Sequence, residues 1–487
     1  MEGKRKTGAL KVLHISPEAA PFSKVGGLAD VAGSLPPALR RHSADCRLLT
    51  PAWDGVLDSI RDQGLQLTRL SRKAEAVIRW RIYRATVWKC VADGLPVYLL
   101  DAPDLFGNTI YPRDLDPDTA IPFLFLSLAA LDLPETALWK PEIIHCHDWA
   151  TAPLPAALQW HRYFRHSRGD YRTVFTIHNL AHQGVLPLMS LEEWGIEADA
   201  RHLGAMEFFG MANLMKAALV ASDAITTVSP TYAGEIQTDA GGEGLAGLLR
   251  SVSFKVSGIL NGIDVNYWDP ESDALLPANY SAKDPAGKKI CRTSLLEKAG
   301  WPDDERPIFS IVGRMVEQKG FPILIPALET LVDLGCRLFI VGSGQPEYEY
   351  ACGKAAERWP DSVFVFSGYD EPLAHLAYAG GDFFLMPSRF EPCGLSQLIS
   401  LRYGTIPVVR SVGGLADTVF DFGSPRGNGV VFHDYTVQAL VEAVSRAITV
   451  HRDERAREEL VLEGMKANYS WDRSAPIYAR LYASLLQ

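Results

Sequence analysis

An α/β protein built on two doubly wound, parallel sheets is the fold this sequence predicts, and three observations predict it. Short apolar, β-branched runs recur along the chain and are separated by segments long enough for helices. Several of these runs are continuously apolar, which suits parallel strands covered on both faces better than half-exposed ones. At 487 residues the chain exceeds the size at which a single core stops growing, and the series of strands is too long for one sheet.

The first-half strands are expected at 10–16, 97–101, 142–148, 172–178 and 224–229. The second-half strands are expected at 307–313, 337–341, 363–367, 382–387 and 406–410. Alternation with helical segments implies βαβ units in each half. The seam is expected near 258–262, because residues 267–287 then become rich in Pro, Asp, Ser and Ala without clear periodicity. That gives one domain over 1–258 and a second over 259–469. A last strong helical segment, about 473–486, could finish the second domain or cross back onto the first.

Composition narrows the classes of function. Apolar residues make up 47% and charged residues 22%, as in ordinary folded proteins. The formal net charge is −10, and a diffuse acidic excess argues against a nucleic-acid or anionic-membrane partner. Lys4, Arg5 and Lys6 form the one basic run, read as a solvated tail. The seven cysteines (46, 90, 146, 291, 336, 352 and 393) are scattered and lack a C-x-x-C pair, which disfavours a disulfide framework or zinc knuckle. Residues 10–15 are too short for a signal-peptide core. The apolar stretch 121–133 falls short of the about 20 residues a spanning helix needs. A cytoplasmic, reduced protein is expected.

One hexapeptide occurs twice: Val25, Gly26, Gly27, Leu28, Ala29, Asp30 is repeated letter for letter at 412–417. Each copy follows a strand and precedes a helical segment. There, glycines let backbone N–H groups approach a ligand and a helix N-terminus favours negative charge. The pair is read as two anion-binding loops.

Ligands of open α/β sheets bind outside the carboxyl ends of the strands. Lys24 with Gly26 and Gly27, then Asp148 with Trp149, then His178 with Asn179 follow first-half strands. Arg314 and Lys319, Gly342 and Gly344, Tyr369, and the run from Ser388 to Leu395 follow second-half strands. A dinucleotide fingerprint at Gly342 fails because position 347 is Glu, and no P-loop occurs. His145 and His147 share a strand face without a second cluster, so a metal site is not expected and His145 is read as a packed strand residue. What remains is three cations (Lys24, Arg314, Lys319), glycine loops and two carboxylates (Asp148, Glu391). Cations converging with backbone donors suit a diphosphate whose charge rises as it departs. A carboxylate nearby can orient sugar hydroxyls or stabilise a cationic anomeric centre. This constellation points to glycosyl transfer without a metal.

Several motifs carry a resemblance that spans essentially the whole chain in order. They are Lys24 with Gly26-Gly27-Leu28, His147-Asp148-Trp149, Thr176-Ile177-His178-Asn179, Val228 to Tyr232, Leu260 to Asp264, Pro387 to Leu395 and Gly413 to Val419. Together they resemble the bacterial glycogen synthase and plant starch synthase family. The resemblance implies a GT-B architecture, two Rossmann-like domains facing across a cleft, with a C-terminal helix (470–487) completing the first, acceptor-side domain. It implies transfer of glucose from ADP-glucose to the non-reducing end of an α-1,4-glucan with retention of configuration, and no cofactor. By matching motif, Arg314 and Lys319 would hold the diphosphate, with Lys24, Gly26 and Gly27 closing over it. Glu391 would contact the transferred glucose, and the backbone of Cys393, Gly394 and Leu395 would bind its hydroxyls and the phosphate. The His178 carbonyl would face the anomeric carbon and Tyr369 would stack on the adenine. Asp148 would lie on the acceptor side with Asn179 and Trp149.

Four positions depart from the family pattern. Val25 stands where Thr or Ser is usual, His182 where Tyr is common, and Ala246 where an acidic residue is usual. Ile399 replaces the ribose-binding glutamate of many related transferases. A sucrose- or trehalose-forming transferase of the same architecture is the rival enzyme reading, with a small-sugar acceptor. A silent glucan-binding scaffold should have lost Glu391 or a phosphate-binding cation, and all are present.

Overall fold

The computed structural model describes residues 9–487; the basic run at 4–6 lies outside them. Two compact units are present. The first contains the chain up to Val228, Ala233–Gly262 and Trp471–Gln487; the second contains Ser229–Tyr232 and Ile263–Ser470.

The second unit is the simpler. Among the described residues its sheet has six strands, all parallel, in the order Val363–Ser367, Arg337–Gly342, Ile308–Val312, Phe383–Met386, Ile406–Arg410, Val430–Phe432. Counted from Ile308 this is 3-2-1-4-5-6, the doubly wound order, with its switch point between Ile308–Val312 and Phe383–Met386. Both faces are covered. Phe309, Leu338, Ile340, Phe383 and Leu385 pack with helices Phe321–Asp333 and Val437–Arg452. Ile308, Phe339 and Val341 pack on the other side with Leu295, Leu296 and Leu373. Successive strand residues face opposite sides, so burial on both sides makes the run continuously apolar.

The first unit carries a sheet of nine described strands, in the order Val256–Gly258, Ala224–Thr227, Arg172–Ile177, Ile143–His147, Leu10–Ile15, Ala44–Pro51, Leu95–Asp101, Arg81–Ala92, Thr68–Ile78. The first seven pair in parallel, and the switch point lies between Leu10–Ile15 and Ile143–His147. The final two add an antiparallel edge. Neither of these, nor Ala44–Pro51, was among the expected strands. The apolar stretch beginning at Ile121 is the helix Ile121–Ala137, buried along most of its length. No helix among the described residues is long and apolar enough to cross a membrane. The seven cysteines are buried and none is disulfide-bonded.

Candidate active site

In the first unit, the segment after Leu10–Ile15 turns back so that Glu18, 2% exposed, lies under the glycine loop. Glu18 Oε2 accepts from the Val25 N–H at 2.5 Å and the Gly26 N–H at 3.1 Å, and Oε1 accepts from the Tyr111 hydroxyl at 3.1 Å. Burial raises the Glu18 pKa against the pull of these donors. Lys24 is exposed and pairs with Asp30 at 2.7 Å. Gly26 has open space where a side chain would project, and Gly27 opens the helix Gly27–Arg41. The loop expected to hold an anion does hold one here, and it is an internal carboxylate.

Strand Ile143–His147 delivers Asp148 with φ 58° and ψ 178°, a region populated almost entirely by glycine and costing about 1–3 kcal/mol. What fixes this strained residue is its carboxylate: Oδ1 accepts from the His178 N–H at 2.7 Å and the Asn179 N–H at 3.3 Å. Burial raises the Asp148 pKa to about 7, with both N–H donors acting against it. Asn179 Oδ1 accepts from the Ala181 N–H at 3.1 Å, which tightens the same turn. Trp149 packs edge-on against Phe123, ring centres 4.8 Å apart. Asp148 therefore clasps the backbone of the residue whose carbonyl the resemblance places at the anomeric carbon.

In the second unit, the functional residues follow the two strands at the switch point. Arg314 is exposed after Ile308–Val312 and has no ion-pair partner among the described residues. Lys319 ends a short turn, Glu317–Lys319. The next residue, Gly320, has φ 87°, and a Cβ there would collide with the Pro387 carbonyl. That close approach sets Lys319 against the segment after Phe383–Met386. Lys319 Nζ lies 2.6 Å from Glu391 Oε2, which also accepts from the Ser388 hydroxyl at 3.1 Å. Glu391 is 4% exposed. Beyond it, Gly394 takes φ 71°, and the Gln397 amide donates to the carbonyls of Cys393 (3.0 Å) and Gly394 (2.9 Å). The N–H groups of Gly394 and Leu395 meet no acceptor among the described residues. Tyr369, after Val363–Ser367, is 76% exposed.

The second hexapeptide differs from expectation. The Gly414 N–H donates to the carbonyls of Glu391 and Pro392 at 3.1 and 3.2 Å. A Cβ on Gly413 would collide with the Glu391 carbonyl, and one on Gly414 with that of Cys393. Asp417 accepts from the Thr231 N–H and hydroxyl at 3.0 and 2.7 Å. This copy packs backbone against backbone and holds the Glu391 segment in place; as an anion-binding loop it is a misreading.

Comparison with known proteins bears on the family of the whole chain. A family model described as "Starch synthase catalytic domain" matches residues 11–251, and one described as "Glycosyl transferases group 1" matches 295–460. The chain is 45% identical to the glycogen synthase of Anaeromyxobacter sp. (strain Fw109-5), covering 98% of this chain and 99% of that one. This chain belongs to the glycogen synthase family. A second relative, glycogen synthase 1 of Methylococcus capsulatus, is 42% identical over 98% of this chain and 97% of its own length. Among solved structures, the catalytic domain of starch synthase IV from Arabidopsis thaliana, bound to ADP and acarbose, aligns with a TM-score of 0.92 and 34% identity. That alignment covers 98% of this chain and all of that one. Membership of the glycogen synthase family makes the chain a glycosyltransferase with two Rossmann-like sheets. Two partners of these groups escaped the reading by motif: Glu18 and Tyr111. Glu18 lies at the sheet edge where the other groups were sought, so position alone could have nominated it. Tyr111 lies in an irregular segment with no such signal.

Proposed function

We propose that this chain transfers glucose from ADP-glucose to the non-reducing end of an α-1,4-glucan, keeping the α configuration and releasing ADP. The observation that carries the reading is the Lys319–Glu391 pair, with exposed Arg314 following the same strand as Lys319, at the carboxyl ends of the two strands flanking the switch point. In this reading the bond from the anomeric carbon to the diphosphate oxygen breaks, a bond to the acceptor O4 forms on the same face, and the proton of the O4 hydroxyl passes to the departing diphosphate. Arg314 and Lys319 meet the charge that grows on the leaving diphosphate, where preorganised donors act most strongly. Lys319 exchanges its carboxylate partner for phosphate, which frees Glu391 for the transferred glucose. The unpaired N–H groups of Gly394 and Leu395, next to Cys393, serve the sugar hydroxyls and the phosphate, and Tyr369 stacks on the adenine.

Roles are proposed for groups of the first unit as well. By the family pattern, Lys24 with Gly26 and Gly27 is assigned to the diphosphate, and His178, its backbone clasped by Asp148, to the cationic anomeric centre through its carbonyl. Asn179 and Trp149 belong to the acceptor side. With the leaving group held by fixed cations, transfer is expected to need no added metal. The test is donor competition: ADP-glucose and UDP-glucose offered together with a glycogen primer. Preferential incorporation from ADP-glucose supports the reading, and transfer to fructose or a sugar phosphate ahead of glucan would sink it.

A further inference from the structure

Strand pairing sets His14 opposite His145, and His147 lies two residues further along, so three imidazoles share one face of the first unit's sheet. All three are fully buried. His14 Nδ1 lies 3.1 Å from His147 Nε2, and His147 Nδ1 lies 3.0 Å from His178 Nε2. The rings of His14, His147 and His178 thus form a hydrogen-bonded row that ends at a residue of the proposed site. His145 stands beside the row and is bonded instead to the hydroxyls of Tyr482 (2.7 Å) and Thr176 (2.5 Å). At the inner end, His14 Nε2 has no partner among the described residues.

Nitrogens of His14, His145 and His147 come within 4.8 Å of one another, which raises the question of a metal. A metal must lie in the plane of each ligating ring, about 2 Å from its nitrogen. Here the rings stack: His145 on His147 with centres 4.3 Å apart and planes 27° apart, and His14 near-parallel to His147 at 18°. Near-parallel planes displaced from one another do not converge on one ion, and both His145 nitrogens already face hydroxyls. The cluster is a hydrogen-bonded row, and its members are neutral. Burial drives His14 down to about 3 and holds His147 well below the ordinary histidine range.

A neutral imidazole has one N–H and one bare nitrogen, so the row has only two self-consistent proton arrangements. With every proton on Nε2, the His14 Nε2–H would be a buried donor facing nothing. With every proton on Nδ1, His14 donates to His147, His147 donates to His178, and the inner end is a bare acceptor. Orphaned buried donors are rarer than under-used acceptors, so the second arrangement is favoured. We propose that His14 and His147 are positioning residues that lock His178 in its Nδ1–H tautomer. Its ring then presents a neutral hydrogen-bond donor to the bound substrate, and its backbone is fixed separately by Asp148. The inference rests on the placement of His178 at the reacting sugar.

The test is two-bond ¹H–¹⁵N correlation on the full chain with ring-labelled histidine, the signals assigned by His14→Phe and His147→Gln, together with kinetics. Expected are Nδ1–H tautomers for His14, His147 and His178. His147→Leu should release His178 to a mixture and lower kcat by about 10–100-fold, the scale of one lost donor, with the ADP-glucose KM changed far less. His147→Gln, whose amide can accept from His14 and donate to His178, should restore most of the turnover. An Nε2–H His178 in the native chain, unchanged turnover in a folded His147→Leu, or stoichiometric Zn²⁺ binding that shifts the His14 and His147 signals would each overturn the proposal. If His147→Leu does not fold, the native spectrum and His147→Gln decide. A native chain with the expected tautomers and no glucan synthesis would refute the proposed function and leave the tautomer lock standing.

Discussion

Residues 25–30 and 412–417 have the same six letters, yet their surroundings give them different work. In the first copy the N–H groups of Val25 and Gly26 point at an anion, the Glu18 carboxylate, and the space around Gly26 is open. In the second the Val412 N–H donates to the Arg410 carbonyl and the Gly414 N–H is folded onto the carbonyls of the Glu391 segment, with no room for a Cβ at either glycine. The aspartates differ as well: Asp30 pairs with exposed Lys24, whereas Asp417 anchors Thr231 through two hydrogen bonds. A glycine pair permits close backbone approach, and the neighbouring elements decide whether what approaches is a ligand or the protein itself.

That contrast is open to direct attack. Gly414→Ala drives a methyl group into the Cys393 backbone, so it should cost about 1–3 kcal/mol or more of stability and abolish most transfer activity by displacing Glu391. Gly26→Ala should leave stability within about 0.5 kcal/mol of the native chain and act only on donor binding. Thermal unfolding and a transfer assay on both variants decide the matter; equal stability losses would erase the distinction. Next in size, Arg314→Ala or Lys319→Ala should lower kcat by about 10²–10³ with a smaller change in donor KM. A change in KM alone would mean that these cations bind only the ground state. Smaller again is Glu18→Gln. The neutral amide oxygen still accepts from Val25 and Gly26 but holds them less strongly than a carboxylate does, so phosphate should displace it more easily. ADP should then bind severalfold tighter by calorimetry. Weaker ADP binding would show that Glu18 shapes the loop instead of competing for it.

Much of this was legible in the sequence, for a physical reason. Most of the parallel strands announced themselves because both of their faces are buried, as with Phe339 and Ile340 pointing to opposite cores. Ala44–Pro51, whose apolar run is broken by Asp45 and Arg47, and the three-residue strands Val256–Gly258 and Val430–Phe432 did not. The antiparallel edge did not, because Thr68–Ile78 is largely exposed and its charged residues read as surface. The residues at the strand ends could be nominated from topology alone, since Lys319 and Glu391 follow strands on either side of the switch point. Their partners could not. The Glu18–Val25 bond depends on how the loop folds back, and the histidine row depends on His14 being paired with His145 from 131 residues away, a matter of strand order that local pattern does not encode.

The central claim is retaining transfer from ADP-glucose to a glucan, and one measurement addresses it most directly. The native chain is incubated with ADP-glucose and maltopentaose in the presence of a chelator, and the anomeric protons are followed by NMR. The account predicts new α-1,4 signals growing in step with released ADP. Free glucose, a β linkage or no reaction until a metal is restored would contradict it.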